Sequence, residues 1–158
     1  MEDLDFDHGL HGGALNNNVE RVRSLLSKGA NPNEVDKAGY TPLLYSSRNG
    51  NVEITNLLLQ ARANPNATTG ALKTTALHRA CAMGHTQVVV SLLGNQADAT
   101  LQDSDGETAL HRAVKKGNPE IVSLILKKSP SAAQISDNVG NLPIQLTDNP
   151  QILQLLNI

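Results

Sequence analysis

The sequence is poor in aromatic residues and in cysteine. Its 158 residues include no tryptophan, one phenylalanine, two tyrosines and one cysteine, Cys81. A core of this composition must consist of Leu, Val, Ile and Ala, which suits thin, repeated layers. A lone cysteine excludes an internal disulfide and favours a reducing, intracellular compartment, cytoplasmic or nuclear.

Strong charge and long apolar runs are also absent. The net charge is −2 and the isoelectric point is about 6.2, so no broad electrostatic attraction draws the chain to nucleic acid or to an anionic membrane. No segment approaches the roughly 18 apolar residues of a membrane span, and the acidic start MEDLDFDHGL lacks the features of a secretory signal. We therefore expect no membrane association, and a nucleic-acid partner is not favoured.

A repeat of 33 to 34 residues dominates the chain. The hexapeptide TALHRA begins at Thr75 and again at Thr108. Three columns align on this period: Thr41, Thr75 and Thr108; Leu43, Leu77 and Leu110; Gly50, Gly84 and Gly117. A period of this length is the signature of architectures in which identical layers stack on one another.

Each repeat is typical of two short helices joined by turns. The threonine can cap the N-terminus of the first helix, and the glycine about two turns later can end it in a left-handed conformation. A second helix is indicated by apolar residues at i, i+3 and i+4, as in Val22, Leu25 and Leu26. Because isolated helices of fewer than about 12 residues are marginal in water, the pairs must stack. We predict an all-α solenoid.

These residues resemble the ankyrin repeat family. The segments TALH at Thr75 and Thr108 are similar to its Thr-Pro-Leu-His signature, Gly84-His85 to its Gly-His pair, and ANPN at Ala30 and Ala63 to the end of its unit. The resemblance implies an ankyrin repeat solenoid of four full helix-turn-helix units and a truncated C-terminal cap. We expect a single domain, 1–158, with units at approximately 1–35, 36–68, 69–102, 103–136 and 137–158.

Three departures from the family pattern carry expectations of their own. Leu44 replaces the signature histidine in the second unit, so the polar contact of that histidine is expected to be missing there. The stretch from Thr68 to Thr75 has one extra residue and lacks the usual glycine, which predicts an irregular turn. Gly12 and Gly13 each cost roughly 1 kcal/mol in a helix interior, which predicts a frayed N-terminal cap over residues 5–15.

Histidine and cysteine offer little support for a metal site or a nucleophile. The resemblance implies that His78 and His111 hydrogen-bond backbone and brace adjacent turns. His8 and His11 could share a helix face and, with Asp7, hold a metal, but no well-spaced fourth ligand follows, so a solvated cap surface is favoured.

Cys81 shares its repeat position with Ser47 and Val114, which indicates a small buried residue and not a catalytic thiol. No phosphate-binding glycine loop, paired acid and base or nucleophile elbow is found. We therefore expect no enzyme, no cofactor, no metal site and no small-molecule substrate.

A partner-binding surface is predicted on one side of the first helices. The helical period turns this side away from the core, and in the ankyrin family it lines the concave groove that binds proteins. The residues expected there or in the flanking turns are Lys37, Tyr40, Tyr45, Arg48, Asn49, Lys73, Thr74, Arg79, Ala82, Met83, Asp105, Glu107, Arg112, Lys115 and Lys116. Tyr and Arg are enriched among residues that dominate binding energy. The cations favour an acidic or phosphorylated protein segment as the ligand; the alternative is that they only keep the surface soluble.

The sequence therefore predicts a non-catalytic protein–protein interaction module, an adaptor or scaffold that binds through its concave groove. An alternative is a regulatory inhibitor subunit that covers the active site of a partner enzyme. The resemblance leaves one further alternative open, hydroxylation of Asn33 or Asn66, against a purely structural role of these residues in their turns. No feature of the sequence sets an oligomeric state.

Overall fold

The computed structural model describes residues 9–157, and within that range every regular element is a helix. The α-helices are α1 Leu10–Leu15, α2 Val19–Ser27, α3 Pro42–Asn49, α4 Val52–Gln60, α5 Ala76–Met83, α6 Thr86–Gly94, α7 Ala109–Lys116, α8 Pro119–Lys128 and α9 Pro150–Leu156. Two short 3₁₀ helices, Pro130–Gln134 and Pro143–Leu146, lie between α8 and α9.

The helices pack in two rows. Helices α1, α3, α5 and α7 each contact the next and form what we call the inner row, while α2, α4, α6, α8 and α9 form the outer row in the same way. The 3₁₀ helix Pro143–Leu146 packs against α7 at the place where a further inner helix would lie. This arrangement confirms the predicted solenoid of four helix pairs with a shortened last unit.

The ends of the inner helices follow the predicted capping chemistry. The hydroxyl oxygens of Thr41, Thr75 and Thr108 each accept a hydrogen bond from the backbone N–H three residues later. The left-handed residues that end these helices are Gly50, Gly84 and Gly117, with φ of 77°, 75° and 77°. Glycine adopts this conformation without the steric cost that a Cβ would add.

The core runs continuously along the stack. Leu58, Leu92 and Ile125, from successive outer helices, are each 0% exposed. They belong to a single cluster of buried apolar residues with the inner-row leucines Leu77 and Leu110. Each layer therefore buries the same columns of side chains that repeat in the sequence, which explains why TALHRA recurs.

The first inner helix differs from its prediction. Residues 10–15 form a helix, and Gly12 and Gly13 are buried within it. A Cβ added at Gly13 would lie only 3.0 Å from Val22 Cγ2. Close packing of α1 on α2 favours glycine there, and the propensity argument did not consider this contact. The remaining residues of the predicted cap, 5–8, lie outside the described range.

The turn before α5 is irregular, as predicted. The backbone N–H of Thr69 donates to the carbonyl of Thr74 across five residues, whereas the turns before α3 and α7 close across four. Lys73 adopts φ of 52° where the other turns have Gly39 at 84° and Gly106 at 74°. The extra residue therefore changes the shape of this turn.

Asparagine side chains link the outer turns of successive pairs. Asn66 Nδ2 donates to the carbonyl of Gln96 at 3.2 Å, and Asn66 Oδ1 accepts from the N–H of Asp98 at 2.8 Å. Asn33 makes the equivalent two bonds one unit earlier. This geometry supports the structural role; hydroxylation of either residue stays a prediction.

None of the helices between residues 9 and 157 is suited to cross a bilayer. The longest, α8, has 10 residues, about half of the roughly 20 that a spanning helix needs.

Candidate partner-binding surface

A cleft lies on the side of the stack formed by α3, α5, α7 and the turns that precede them, which we call the inner-helix face. Its volume is about 260 Å³, which suits side chains better than a drug-sized ligand. This central cleft is lined by Arg48, Leu72, Thr74, His78, Arg79, Ala82, Met83 and Arg112. Six of these residues were predicted from the sequence; Leu72 and His78 were not.

A larger groove of about 340 Å³ lies at the C-terminal end of the stack, between α8, the 3₁₀ helix Pro130–Gln134 and α9. Its lining is mostly apolar, and Lys127 is its one charged residue. None of the residues predicted to bind a partner lines it. The central cleft is the better candidate because both cationic and exposed apolar side chains converge on it.

Three predicted residues from adjacent units form one aromatic and cationic cluster. The rings of Tyr40 and Tyr45 stack with their centroids 5.3 Å apart. The guanidinium carbon of Arg79 lies 4.9 Å from the centroid of the Tyr40 ring, a cation–π distance. Arg79 Nη2 also donates a 2.7 Å hydrogen bond to the Tyr40 hydroxyl. The tyrosines therefore position the arginine as well as forming part of the surface.

Asp36 holds the second tyrosine from the turn before α3. The hydroxyl of Tyr45 donates to Asp36 Oδ2 at 2.5 Å, and Asp36 Oδ1 accepts from the N–H groups of Ala38 and Tyr40. Burial acts to raise the pKa of Asp36, but the hydrogen bonds from Tyr45 and the backbone lower it on balance. Burial, together with the Asp36 carboxylate, raises the pKa of Tyr45.

Four other predicted residues belong to an ion cluster around α7. Arg112 Nη2 lies 2.5 Å from Asp103 Oδ2, Arg112 Nε lies 2.8 Å from Glu107 Oε2, and Asp105 is 3.8 Å away. Lys115 pairs with the second oxygen of Glu107. The side chains of Asp103 and Glu107 are only 1% and 7% exposed. The charges of Arg112 and Lys115 are thus largely balanced within the protein.

This cluster lowers the pKa of Asp103. Burial acts to raise the pKa of its carboxyl group, but hydrogen bonds from Arg112 and from the backbone N–H groups of Glu107 and Asp105 outweigh burial and lower it.

The units differ at the turn position that Asp103 occupies. Asp36 bonds to Tyr45 and Asp103 bonds to Arg112, in each case nine residues later. The third unit has Thr69 at this position, and its hydroxyl oxygen accepts from the N–H of Thr74 at 3.1 Å. Thr69 therefore accepts a backbone hydrogen bond, as the aspartates do in the other units, but it carries no negative charge.

Arg79 consequently has no carboxylate partner among residues 9–157. The one hydrogen bond of its side chain in this range goes to Tyr40, and its Nε atom is buried without an acceptor. A buried donor without a partner is costly and rare. The buried Nε of Arg112 also lacks a well-oriented acceptor. What distinguishes Arg79 is therefore the absence of a carboxylate within ion-pair distance among the described residues, whereas Arg112, at the same position one unit later, has Asp103 and Glu107.

Among the remaining predicted residues, Asn49 makes a structural contact and most of the others are exposed. Asn49 Nδ2 donates to the carbonyls of Leu15 and Ala14 at 2.8 and 3.3 Å, which ties α3 to the end of α1. The other predicted side chains outside the two clusters are exposed, namely Lys37, Arg48, Lys73, Ala82, Met83 and Lys116, except Thr74, which is partly buried. Met83 is 51% exposed.

Leu72, which the sequence analysis missed, is 55% exposed in the turn before α5. The sequence did contain a signal for it, since an apolar residue in a turn that has one extra residue could have indicated an exposed side chain.

Comparison with known proteins identifies the architecture. The family profile described as Ankyrin repeats (3 copies) matches residues 10–103 and 83–147. The chain belongs to the ankyrin repeat family. Over 49 residues it is 45% identical to Ankyrin repeat domain-containing protein 39 from Homo sapiens and 43% identical to the protein of the same name from Bos taurus. These alignments cover 31% of this chain and 27% of each relative. Ankyrin repeats are in general non-enzymatic protein–protein interaction modules.

The histidines of the ankyrin signature brace neighbouring units. His78 Nε2 lies 2.8 Å from the carbonyl oxygen of Glu107, and because a carbonyl only accepts, this nitrogen carries the proton. His78 Nδ1 accepts from the N–H of Thr75, and burial lowers the pKa of the ring. His111 makes the same contacts one unit later, to Asn141. These bonds confirm the bracing role; Leu44 has no side-chain donor for it.

Cys81 lies inside the ankyrin core. It is 0% exposed, and burial raises the pKa of its thiol. A thiolate nucleophile needs exposure and a lowered pKa, so this environment argues against a catalytic role.

Of the three residues considered as metal ligands, only His11 lies within the residues that the structure describes. His11 Nε2 lies 2.8 Å from the carbonyl oxygen of Glu34 and 3.0 Å from that of Tyr40, so it is a donor to backbone. Asp7 and His8 lie outside the residues that the structure describes. Within those residues, no three His, Cys, Asp or Glu side chains are arranged to hold a metal ion.

Proposed function

We propose that this ankyrin protein is a non-catalytic adaptor or scaffold that binds a partner protein through its inner-helix face. One observation supports this proposal above others: the central cleft combines cations that lack an internal counter-charge with exposed apolar side chains. Arg79 lines it without a carboxylate partner in the described range, and Met83 lines it with half of its surface in solvent. Exposed apolar groups beside charged ones are typical of interaction sites.

The rigidity of the stack favours binding. Arg79 is held over Tyr40 by a hydrogen bond and a cation–π contact, so its geometry exists before a partner arrives. A surface with side chains already in place loses little conformational entropy on binding. Tyr and Arg at such a position are the residue types most often found to dominate binding energy.

The charge of the face favours an acidic or phosphorylated segment of the partner. Four of its cations, Arg48, Lys73, Arg79 and Lys116, form no ion pair with any residue from 9 to 157. Arg112 and Lys115, by contrast, are balanced by Asp103 and Glu107. Three of the four uncompensated cations, Arg48, Lys73 and Arg79, therefore lie in the second and third units, and Lys116 lies in the fourth.

The test is affinity capture from native lysate with two matched variants. The face variant combines Arg48→Glu with Met83→Glu, which reverses one charge and removes one apolar side chain in the central cleft. The control variant, Lys28→Glu with Val90→Glu, makes the same changes at exposed positions of the outer row, at the C-terminal cap of α2 and within α6.

The proposal requires that partners captured by the wild type stay with the control variant and are lost from the face variant. Capture that survives in the face variant and disappears in the control would move the binding surface to the outer row and overturn the proposal. An adaptor should leave the activity of a captured enzyme unchanged, whereas an inhibitor subunit should lower it.

A further inference from the structure

The turn aspartate of the second and fourth units is missing from the third. Asp103 places a carboxylate against Arg112 from inside the chain, and Asp36 places one against Tyr45. Thr69 offers no charge at this turn, and Leu72 in the same turn extends into solvent. The third unit therefore presents an arginine of the same type and position as Arg112, but without its anion.

We infer that Arg79 binds a carboxylate of the partner, which supplies from outside the charge that Asp103 supplies to Arg112 within the chain. The segment that carries this carboxylate places an apolar side chain beside it, against Met83 and Leu72. This inference rests on the proposed function, and it specifies the segment: an aspartate or glutamate next to a residue such as leucine, methionine or phenylalanine.

The chemistry of the guanidinium supports this assignment. One of its terminal nitrogens is committed to the Tyr40 hydroxyl, and the other terminal nitrogen makes no hydrogen bond with residues 9–157 and is not among the buried donors, so its donors remain for an incoming anion. Arg presents its N–H groups in a planar fork that matches a carboxylate in a bidentate arrangement. Arg48 lines the same cleft from the preceding inner helix and adds a second cation.

The apolar half of the ligand follows from the other residues that line the cleft. Leu72 and Met83 are 55% and 51% exposed, and both line the cleft with Arg79. Methionine is flexible and adapts its shape to different apolar side chains at binding surfaces. An exclusively acidic ligand would leave these two side chains in water, whereas an acidic and apolar segment would cover them.

A carboxylate is favoured over a phosphate by the equivalent site in the fourth unit. The fork of Arg112 is filled there by two carboxylates, Asp103 and Glu107, at 2.5 and 2.8 Å. A phosphorylated residue is the competing ligand, and the experiment includes it.

The test selects a phage-displayed random peptide library on the full chain and measures the affinities of the enriched peptides by fluorescence anisotropy. Two variants address the site, Arg79→Gln and Met83→Ser. A third, Lys128→Gln, is the matched control, because Lys128 is an exposed cation of the outer helix α8 that does not line the cleft. Each enriched peptide is also synthesised with phosphoserine in place of its acidic residue.

The inference predicts peptides in which Asp or Glu stands close to a large apolar residue. Their affinity should fall at least about tenfold with Arg79→Gln, the scale of one hydrogen bond to a charged group, and should fall with Met83→Ser. The Lys128→Gln control should change affinity less than about twofold, as expected of an exposed cation outside the site.

Three results would overturn the inference while leaving the proposed function intact. In the first, peptides bind the inner-helix face but keep their affinity in Arg79→Gln. In the second, acidic peptides keep their affinity in Met83→Ser. In the third, the phosphoserine peptides bind the wild type at least about tenfold more tightly than the acidic peptides do. Peptides that respond only to the outer-row control, Lys28→Glu with Val90→Glu, would overturn both the inference and the proposed function.

Discussion

Replacing Arg112 with methionine should destabilise the protein, because it would leave the buried Asp103 carboxylate without its cation. Removing one partner of a fully buried ion pair costs about 3 to 5 kcal/mol. The side chain of Arg112 is 31% exposed, and Lys115 would still compensate Glu107. We therefore expect a loss of about 2 to 3 kcal/mol, below the fully buried range because water screens part of the interaction.

Urea unfolding followed by far-UV circular dichroism measures this loss, and thermal unfolding should show a midpoint lowered by about 5 to 10 °C. Lys116→Met is the matched control, since it removes an exposed cation from the same helix and should cost less than about 0.5 kcal/mol. Methionine keeps the apolar stem at both positions, so the comparison isolates the charge.

Two further measurements separate charge from packing. Asp103→Asn keeps the side-chain oxygen that accepts from the Asp105 and Glu107 backbone but removes the buried charge. In that background, Arg112→Met should cost at least about 1 kcal/mol less than it does alone. Acid should also reduce the difference in unfolding free energy between the wild type and Arg112→Met. Because the pKa of Asp103 is lowered in the folded state, its stabilising contribution is fully present above the ordinary aspartate pKa of about 3.9 and is lost as the pH falls from there through the lowered folded-state pKa. Equal stabilities of Arg112→Met and Lys116→Met at neutral pH would refute the reasoning.

Three more predictions concern the core and the braces. Because burial lowers the pKa of His78, stability should be full above the ordinary histidine pKa of about 6.5 and fall as the pH drops below it, and urea titrations should show a weaker dependence for His78→Asn. Gly13→Ala should destabilise by about 1 kcal/mol, although helix propensity alone predicts a gain, because the new methyl group would meet Val22 at 3.0 Å; a stabilised variant in the same titration would contradict this. Cys81 should react with an aromatic disulfide reagent only when the chain unfolds, since it is 0% exposed; rapid stoichiometric labelling of the native protein would be inconsistent with the packing.

The sequence sufficed to predict the fold because every layer repeats the same physical requirements. Thr75 and Thr108 cap their helices, and Gly84 and Gly117 end them, as the spacing of these residue types indicates. The apolar columns are buried for the same reason, since each layer must match the surface of the next. The propensity argument for fraying around Gly13 omitted the packing of Gly13 against Val22, because a single-sequence propensity does not include contacts between helices; fraying itself stays a prediction.

The candidate site was predicted only in part. Helical periodicity identified the side on which Arg79 and Arg112 lie, but it assigned both of them the same exposed, cationic role. What separates them is the turn that precedes each helix, where Asp103 and Thr69 differ in charge. Contacts across a turn depend on side-chain geometry that periodicity does not contain, although the recurrence of Asp36 and Asp103 in one column was visible in the sequence.

The most direct test of partner binding on the inner-helix face is hydrogen exchange of the full chain, alone and saturated with a peptide from the random library. Our account predicts slower exchange of backbone amides in α3 and α5 and in the turn around Leu72, with no change around Val90 on the outer row. Protection confined to α4 and α6, with the inner helices unchanged, would contradict it.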